Sequence, residues 1–443
     1  MRPLEWLVLL AFLPFVLQPF VPQRPRGGVA AWLPGALPAL CSLLQLALEG
    51  GRTQMIPLYL LAVSTLFLQG RLRKRRPGRG LRTVFGVLVA GAALLPAWAL
   101  PVFQLGRPTG AYLVGVTERE VAVRPGRRLM TTVWYPASAR SASAPLTREP
   151  AQIATGLGQA FGVPAAAPFL QHLRYVKVTA STDAPPAART FPVLVFSPGL
   201  TGLRLQSSET FQDLASHGFV VVALDHTDAA AVTVFPDGEV RPFNLARFGI
   251  RPDQTERSTE LLLPHWMNDQ RAAYDALASW NASDALLGGH LDLGRVASFG
   301  HSFGGVTAVE VCRVEPRCRA AANLDGGWAR GLPPHGSPKP LLLISAQASA
   351  ALPQAMQHWR QLMALSSDHP VWLELPNSNH LSFTLTPRLS PLLSPRGYRP
   401  EAGQRSVDGA LRSFFRASFA GHPETFLTGV KGRQDLRLRH PTP

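Results

Sequence analysis

The segment Val296-Ala297-Ser298-Phe299-Gly300-His301-Ser302-Phe303-Gly304-Gly305 restricts the fold of this chain more than any other. An apolar run that reads as a strand leads into Gly-x-Ser-x-Gly, and small residues from Gly304 to Val311 continue as a helical pattern. A serine on so sharp a strand-to-helix turn has a strained backbone and an exposed hydroxyl. Glycines on either side let strand and helix close on each other. The helix N-terminus then faces any oxyanion formed at that point. The bare pattern also occurs as a plain Gly-rich turn. The strand before it and the helix after it favour Ser302 as a nucleophile.

The surrounding pattern suits such a turn. Ala111–Val116 and Leu129–Tyr135 alternate as half-buried strands around Pro125-Gly126. Residues 137–190 are rich in Ala, Pro and Ser and read as an excursion over the core, with a helix near 151–161. Continuous apolar runs follow at Val193–Phe196, Phe219–Leu224, Val296–Phe299, Ala320–Leu324, Pro340–Ser345 and Val371–Leu375, as expected of strands buried on both faces of a parallel sheet. Helical patterns fall at Ser207–Ser216, Asn268–Trp280, Gly304–Val311, Gln354–Leu365 and Gln404–Phe419. This alternation predicts a doubly wound, mostly parallel α/β domain over 106–420. The basic tail, 421–443, reads as surface or disordered chain.

Residues 1–105 differ in kind. Apolar runs at 6–22, 29–48, 55–69 and 83–103 come near the ~20 residues that cross a bilayer, and none has a polar face. They predict a four-helix transmembrane segment. Arg71, Arg73, Lys74, Arg75, Arg76, Arg79 and Arg82 put the third loop in the cytoplasm, and Arg24 and Arg26 agree. The chain after 105 is then expected outside it.

The 443 residues carry a formal net charge of +16. Lysine occurs only at 74, 177, 339 and 431, so arginine supplies the rest, and no nucleic-acid-binding motif accompanies it. Attraction to an anionic membrane surface is the better reading. Cys41 reads as a small buried hydrophobe. Cys312 and Cys318 are too few for a disulfide scaffold or a zinc site, although in an oxidising compartment they can pair.

A serine hydroxyl needs a base, and the base needs an orienting group. In α/β-hydrolases the chain order is serine, acid, histidine, each in a loop at a strand's carboxyl end. His380 follows the strand Val371–Leu375 through Pro376-Asn377-Ser378-Asn379 and suits the base. Between Ser302 and His380 the carboxylates are Glu310, Glu315, Asp325, Asp368 and Glu374. Asp325 ends the strand directly after the nucleophile helix and fits the acid best, with Asp368 in reserve. The oxyanion donors expected are the backbone N–H groups of Phe303 and of Leu200, since Pro198 has none.

Four stretches carry a resemblance: Val133-Trp134-Tyr135-Pro136, Phe196-Ser197-Pro198-Gly199-Leu200, Gly300-His301-Ser302-Phe303-Gly304-Gly305 and Leu324-Asp325-Gly326. Together they resemble the plasma-type platelet-activating-factor acetylhydrolases and their bacterial relatives, often described as dienelactone hydrolase-like, over roughly 110–420. The resemblance implies an α/β-hydrolase fold, a triad of Ser302, Asp325 and His380, and oxyanion donors at Leu200 and Phe303. It implies no cofactor or metal, and a phospholipid with a short or oxidised acyl chain as substrate. Pro198 stands where that family usually has histidine, and the four apolar runs are absent from its secreted members. A general esterase, lipase or polyester hydrolase is the alternative. A catalytically silent, membrane-anchored binding module is the reading of another class. No nucleic acid and no obligate protein partner are expected. The expected location is a bacterial inner membrane, with the catalytic domain on the extracytoplasmic side.

Overall fold

The computed structural model describes residues 1–17, 32–74, 79–124, 126–327, 335–430 and 435–439. They form two compact units: a helical one of 1–103, 168–175 and 389–392, and a sheet-based one of 104–167, 176–388 and 393–443.

The strands of the second unit are β1 (Leu113–Arg124), β2 (Arg127–Ala137), β3 (Ser143–Pro145), β4 (Lys177–Thr182), β5 (Phe191–Ser197), β6 (Val220–Asp225), β7 (Val232–Val234), β8 (Val240–Pro242), β9 (Leu291–His301), β10 (Cys318–Leu324), β11 (Leu341–Ala346), β12 (Val371–Leu375) and β13 (Arg437–Arg439). Apart from the β7–β8 ribbon they make one eleven-stranded sheet, ordered β13-β12-β11-β10-β9-β5-β6-β2-β1-β4-β3. From β6 to β12 every neighbouring pair is parallel. The β1–β2 hairpin joins that block antiparallel through β2 and β6. This is the doubly wound, mostly parallel sheet that the strand–helix alternation predicts.

Why the central strands are apolar throughout is visible in β5. Val193 and Val195 pack into a cluster with Tyr274, Leu277 and Trp359 on one face. Phe196 points to the other, where it meets Phe211 at 4.7 Å and Phe299 at 4.9 Å between ring centroids. Both faces are covered, so neither can be polar.

Elements differ from expectation where local pattern is weak. The helix expected over Asn268–Trp280 runs from Ser258 to Ser283 with Pro264 inside it. The excursion holds its expected helix, Pro150–Ala160, and also β3 and β4, which extend the sheet edge. The tail contributes a helix, Glu424–Val430, and β13, whose Arg437 and Arg439 pair with the buried Glu374 of β12. Cross-strand ion pairing thus holds part of a segment read as surface chain. Pro125 of the β1–β2 turn lies outside the described residues.

The helical unit contains Pro3–Leu10, Leu13–Leu17, Leu33–Glu49, Ile56–Lys74 and Arg79–Ala99. Val8, Phe12, Met55, Leu58, Ala62, Ala93 and Ala97 form its core. The expected four-helix transmembrane segment is not supported: among the described residues no helix is long and apolar enough to cross a membrane. Among the described residues, apolar run and helix do not coincide. Among the described residues the first run gives the helices Pro3–Leu10 and Leu13–Leu17 and the second gives Leu33–Glu49, while residues 18–31 lie outside the described residues. The two longer helices include basic residues at one end, Lys74 and Arg79. Of the loop charges used for orientation, Arg24, Arg26, Arg75 and Arg76 lie outside the described residues.

Candidate active site

Register brings the carboxyl ends of the central strands together: Ser197 pairs with Gly300 across β5–β9, and Leu324 with His301 across β10–β9. Ser302 sits between β9 and the helix Phe303–Val314 with φ 56° and ψ −126°. For a non-glycine residue this is a strained conformation of the kind that collects at functional sites. The flanking glycines are required by contact. A Cβ on Gly304 would lie 2.1 Å from the Ser197 carbonyl oxygen, and one on Gly300 would lie 2.2 Å from that of Gly304. The Ser302 N–H donates to the Leu324 carbonyl at 2.8 Å, tying the turn to β10.

Asp325 follows β10, fully buried, with φ 58°. Its carboxylate accepts from the Ala346 N–H at 2.6 Å, the Ser349 hydroxyl at 2.6 Å and His380 Nδ1 at 2.8 Å. With Nδ1 donating, Nε2 of His380 is left as the basic nitrogen. His380 opens a short turn, His380–Phe383, that Asn379 caps by accepting from the Leu381 N–H at 3.1 Å. The structure therefore brings the expected acid and base together. The reserve acid, Asp368, is placed elsewhere, bonded at 2.7 Å to His369 on the surface.

The early loop is close by: a Cβ on Gly199 would lie 3.2 Å from Cβ and 3.6 Å from Oγ of Ser302. Leu200 follows in that loop, and Thr201 anchors it, its N–H donating to the Ala229 carbonyl at 3.0 Å. Phe303 is the first residue of its helix, where backbone N–H groups have no intrahelical acceptor.

Two polar residues that sequence reasoning passed over join these loops. His301 is buried, and burial holds its imidazole well below the usual histidine range, so it is neutral. Gln206 Nε2 lies 3.1 Å from Nδ1 of His301, and Nε2 of His301 lies 2.9 Å from the His380 carbonyl oxygen. The glutamine amide is thus the donor to Nδ1, and Nε2–H donates to the base loop. The second position of Gly-x-Ser-x-Gly was a usable signal for His301; nothing marks Gln206. Cys312 and Cys318 form a disulfide between the end of the nucleophile helix and β10.

Among the described residues no group of three or more His, Cys, Asp or Glu side chains is arranged to hold a metal ion. A cavity of about 690 Å³ lined by Arg127, Arg128, Phe235 and Arg241 includes none of the residues above.

Residues 100–244 match the family model described as platelet-activating factor acetylhydrolase, isoform II. A probable 1-alkyl-2-acetylglycerophosphocholine esterase of Arthroderma benhamiae is 28% identical over 284 residues, 58% of this chain and 68% of that protein. The platelet-activating factor acetylhydrolase of Cavia porcellus is 28% identical over 39% of this chain, which spans 44% of that relative's length. The solved structure of a ferulic acid esterase from Streptomyces cinnamoneus superposes with a TM-score of 0.61 at 25% identity, covering 77% of this chain and all of that one. With the elbow and the parallel sheet already in place, the chain is a serine ester hydrolase of the α/β-hydrolase fold, related to the platelet-activating factor acetylhydrolases.

Proposed function

We propose that Ser302, His380 and Asp325 act as a catalytic triad on carboxylic esters, and that the preferred substrates are phospholipids with a short or oxidised acyl chain. The observation that carries this reading is the 2.8 Å Asp325–His380 hydrogen bond beside the strained Ser302 turn. In this reading Ser302 Oγ attacks the acyl carbonyl while Nε2 of His380 takes its proton. The N–H groups of Leu200 and Phe303 hold the oxyanion. The intermediate collapses to an acyl-serine, and the alcohol leaves with the proton from His380. Water, deprotonated by the same imidazole, then releases the acid. The substrate class rests on the activities for which the relatives are named. A general esterase, as the ferulic acid esterase neighbour suggests, is the competing reading.

The test compares the chain with its Ser302→Ala variant on phospholipids of graded acyl length and on aryl esters. Short-chain phospholipid hydrolysis that disappears in the variant is the expected result. Hydrolysis of aryl esters alone moves the substrate to the general class. Unchanged activity in the variant removes Ser302 from the mechanism.

A separate observation bears on where substrate is met. In the helical unit Glu5 and Arg52 are buried as an ion pair at 2.7 Å and Gln45 is buried with them, while Trp6, Leu10, Leu43, Leu60, Phe67 and Trp98 are exposed. Beside the apolar core these polar groups are buried while large apolar side chains face outward, and so apolar an exterior departs from the arrangement expected in water. We infer that this exterior contacts lipid acyl chains, and the Cys312–Cys318 disulfide suits an extracytoplasmic location for the catalytic unit. The full chain is expected to float with anionic phosphatidylglycerol-containing vesicles in a density gradient. A chain that stays in the detergent-free, lipid-free fraction contradicts lipid contact.

A further inference from the structure

Beneath the elbow lies a second arrangement with the connectivity of a catalytic triad. Ser197 Oγ is 2.9 Å from Nε2 of His226, and Nδ1 of His226 is 3.0 Å from Asp269 Oδ2. Ser197, His226 and Asp269 are all fully buried, so no ester reaches this serine, and the arrangement has no reaction to perform.

Its hydrogen bonds have one consistent direction. Gln270 Nε2 donates to Ser197 Oγ at 2.7 Å, and the Ser197 hydroxyl donates to Nε2 of His226, because the neutral imidazole carries its one proton on Nδ1, facing a carboxylate that can only accept. Nδ1–H then donates to Asp269, whose carboxylate also accepts from Arg127 Nη2 at 2.9 Å. Upstream, the Ser298 hydroxyl donates to Gln270 Oε1 at 3.1 Å, and Tyr274 OH, 2.8 Å away, donates to Ser298. Every rotor is set, because each group has only one role left once its neighbour's is assigned.

The imidazole at the centre touches the supports of both expected oxyanion donors. Ser197 is the last residue of β5, three before Leu200. The His226 carbonyl accepts from the Ala229 N–H at 2.8 Å, and the Ala229 carbonyl accepts from Thr201, directly after Leu200. The ring of His226 stacks on Trp266 at 3.8 Å between centroids, and Trp266 packs on Phe303 at 4.6 Å. Leu200 itself packs against the cluster that holds Trp266 and Phe303.

We infer that His226 is a positioning residue for the oxyanion hole, holding the Leu200 loop through Ser197 and the Phe303 helix start through Trp266. The inference rests on the proposed roles of Leu200 and Phe303. Donors that hold a developing oxyanion act only when fixed at the right place, so a loosened support weakens transition-state binding and leaves ground-state binding intact.

The test uses the full chain with His226→Phe, which keeps a ring over Trp266 and removes both hydrogen bonds, and with Ser197→Ala, a smaller change that breaks the same link. His226→Gln offers Ser197 a carboxamide acceptor. Each folded variant is assayed on an aryl ester for kcat and KM, and for affinity toward an alkyl boronic acid, whose tetrahedral serine adduct places an oxygen in the oxyanion hole. The expected result for His226→Phe is a fall in kcat of about tenfold to a hundredfold with KM nearly unchanged, and a parallel loss of boronate affinity. Ser197→Ala is expected to show a smaller loss with the same pattern, and His226→Gln to recover part of kcat. Wild-type kcat and boronate affinity in the folded variants overturn the inference, as does a kcat loss without a boronate loss. Should His226→Phe not fold, Ser197→Ala decides by the same criteria. Activity surviving Ser302→Ala sinks the parent reading instead, so the two failures are distinguishable.

Discussion

At the scale of single residues, the site depends on conformations and partners that each side chain would avoid alone. Asp325 takes a positive φ and is completely buried, and three donors on its carboxylate offset that cost. Its value to the proposed chemistry is that it fixes Nδ1–H of His380. Asp325→Asn keeps the shape but offers an amide in place of an acceptor, so the imidazole is held in the wrong tautomer. The expected loss in kcat is about 10⁴-fold with the fold intact, measured on an aryl ester beside a melting curve. A variant of near wild-type activity would return the acid role to another group. The meeting of Asp325 with His380 was legible in the sequence because few carboxylates lie between Ser302 and His380 and only one ends the next strand. Ser349 and Gln206 were not, since a serine or glutamine in a loop has no local pattern that announces its partner.

At the scale of elements, strand β9, the Ser302 turn and the following helix act as one piece clamped at both ends. The turn is locked by the Gly300 and Gly304 contacts. The far end of the helix is joined to β10 by Cys312–Cys318, six residues apart in sequence and both fully buried. Closing so short a loop constrains the unfolded chain modestly. Replacing both cysteines by alanine is therefore expected to lower stability by about 2 kcal/mol while leaving esterase activity near wild type, read from the urea midpoint. An unchanged midpoint would show that the bond contributes nothing to the fold. The same scale explains the helix Ser258–Ser283. Its first half lacks a clean apolar stripe and contains Pro264, yet Leu262, Leu263 and Trp266 are buried in the cluster that includes Leu200, so tertiary packing extends it.

For the molecule as a whole, buried histidines set a lower limit of pH. Burial lowers the affinity of His226 and His301 for protons, and partial burial that of His358, whereas the unfolded chain titrates near 6.5. Their contribution is complete above about pH 6.5 and is lost as pH falls below it, because the unfolded state binds protons that the folded state refuses. Asp408, whose carboxyl burial pushes well up, contributes in the opposite sense. A comparison isolates one histidine: the melting temperature of His358→Gln is expected to fall less than that of the parent between pH 7 and pH 5. Parallel curves would mean that His358 is protonated in the fold.

What the sequence alone determined is the part carried by short-range pattern. Apolar runs bounded by turns marked the parallel strands, and a serine between glycines at a strand-to-helix junction marked the elbow. The expectation that Ser302, Asp325 and His380 meet then followed from the connectivity of strands whose carboxyl ends share one edge. Tertiary structure decided what depends on meetings between distant residues. Gln206 reaches His301 across 95 positions and His226 reaches Asp269 across 43. Among the described residues of the first hundred, the helix bounds differ from those of the apolar runs. For the two hydrogen bonds the deciding quantity is the satisfaction of buried polar groups by partners that only the folded chain brings near, and residue order within a window of a dozen positions does not contain it.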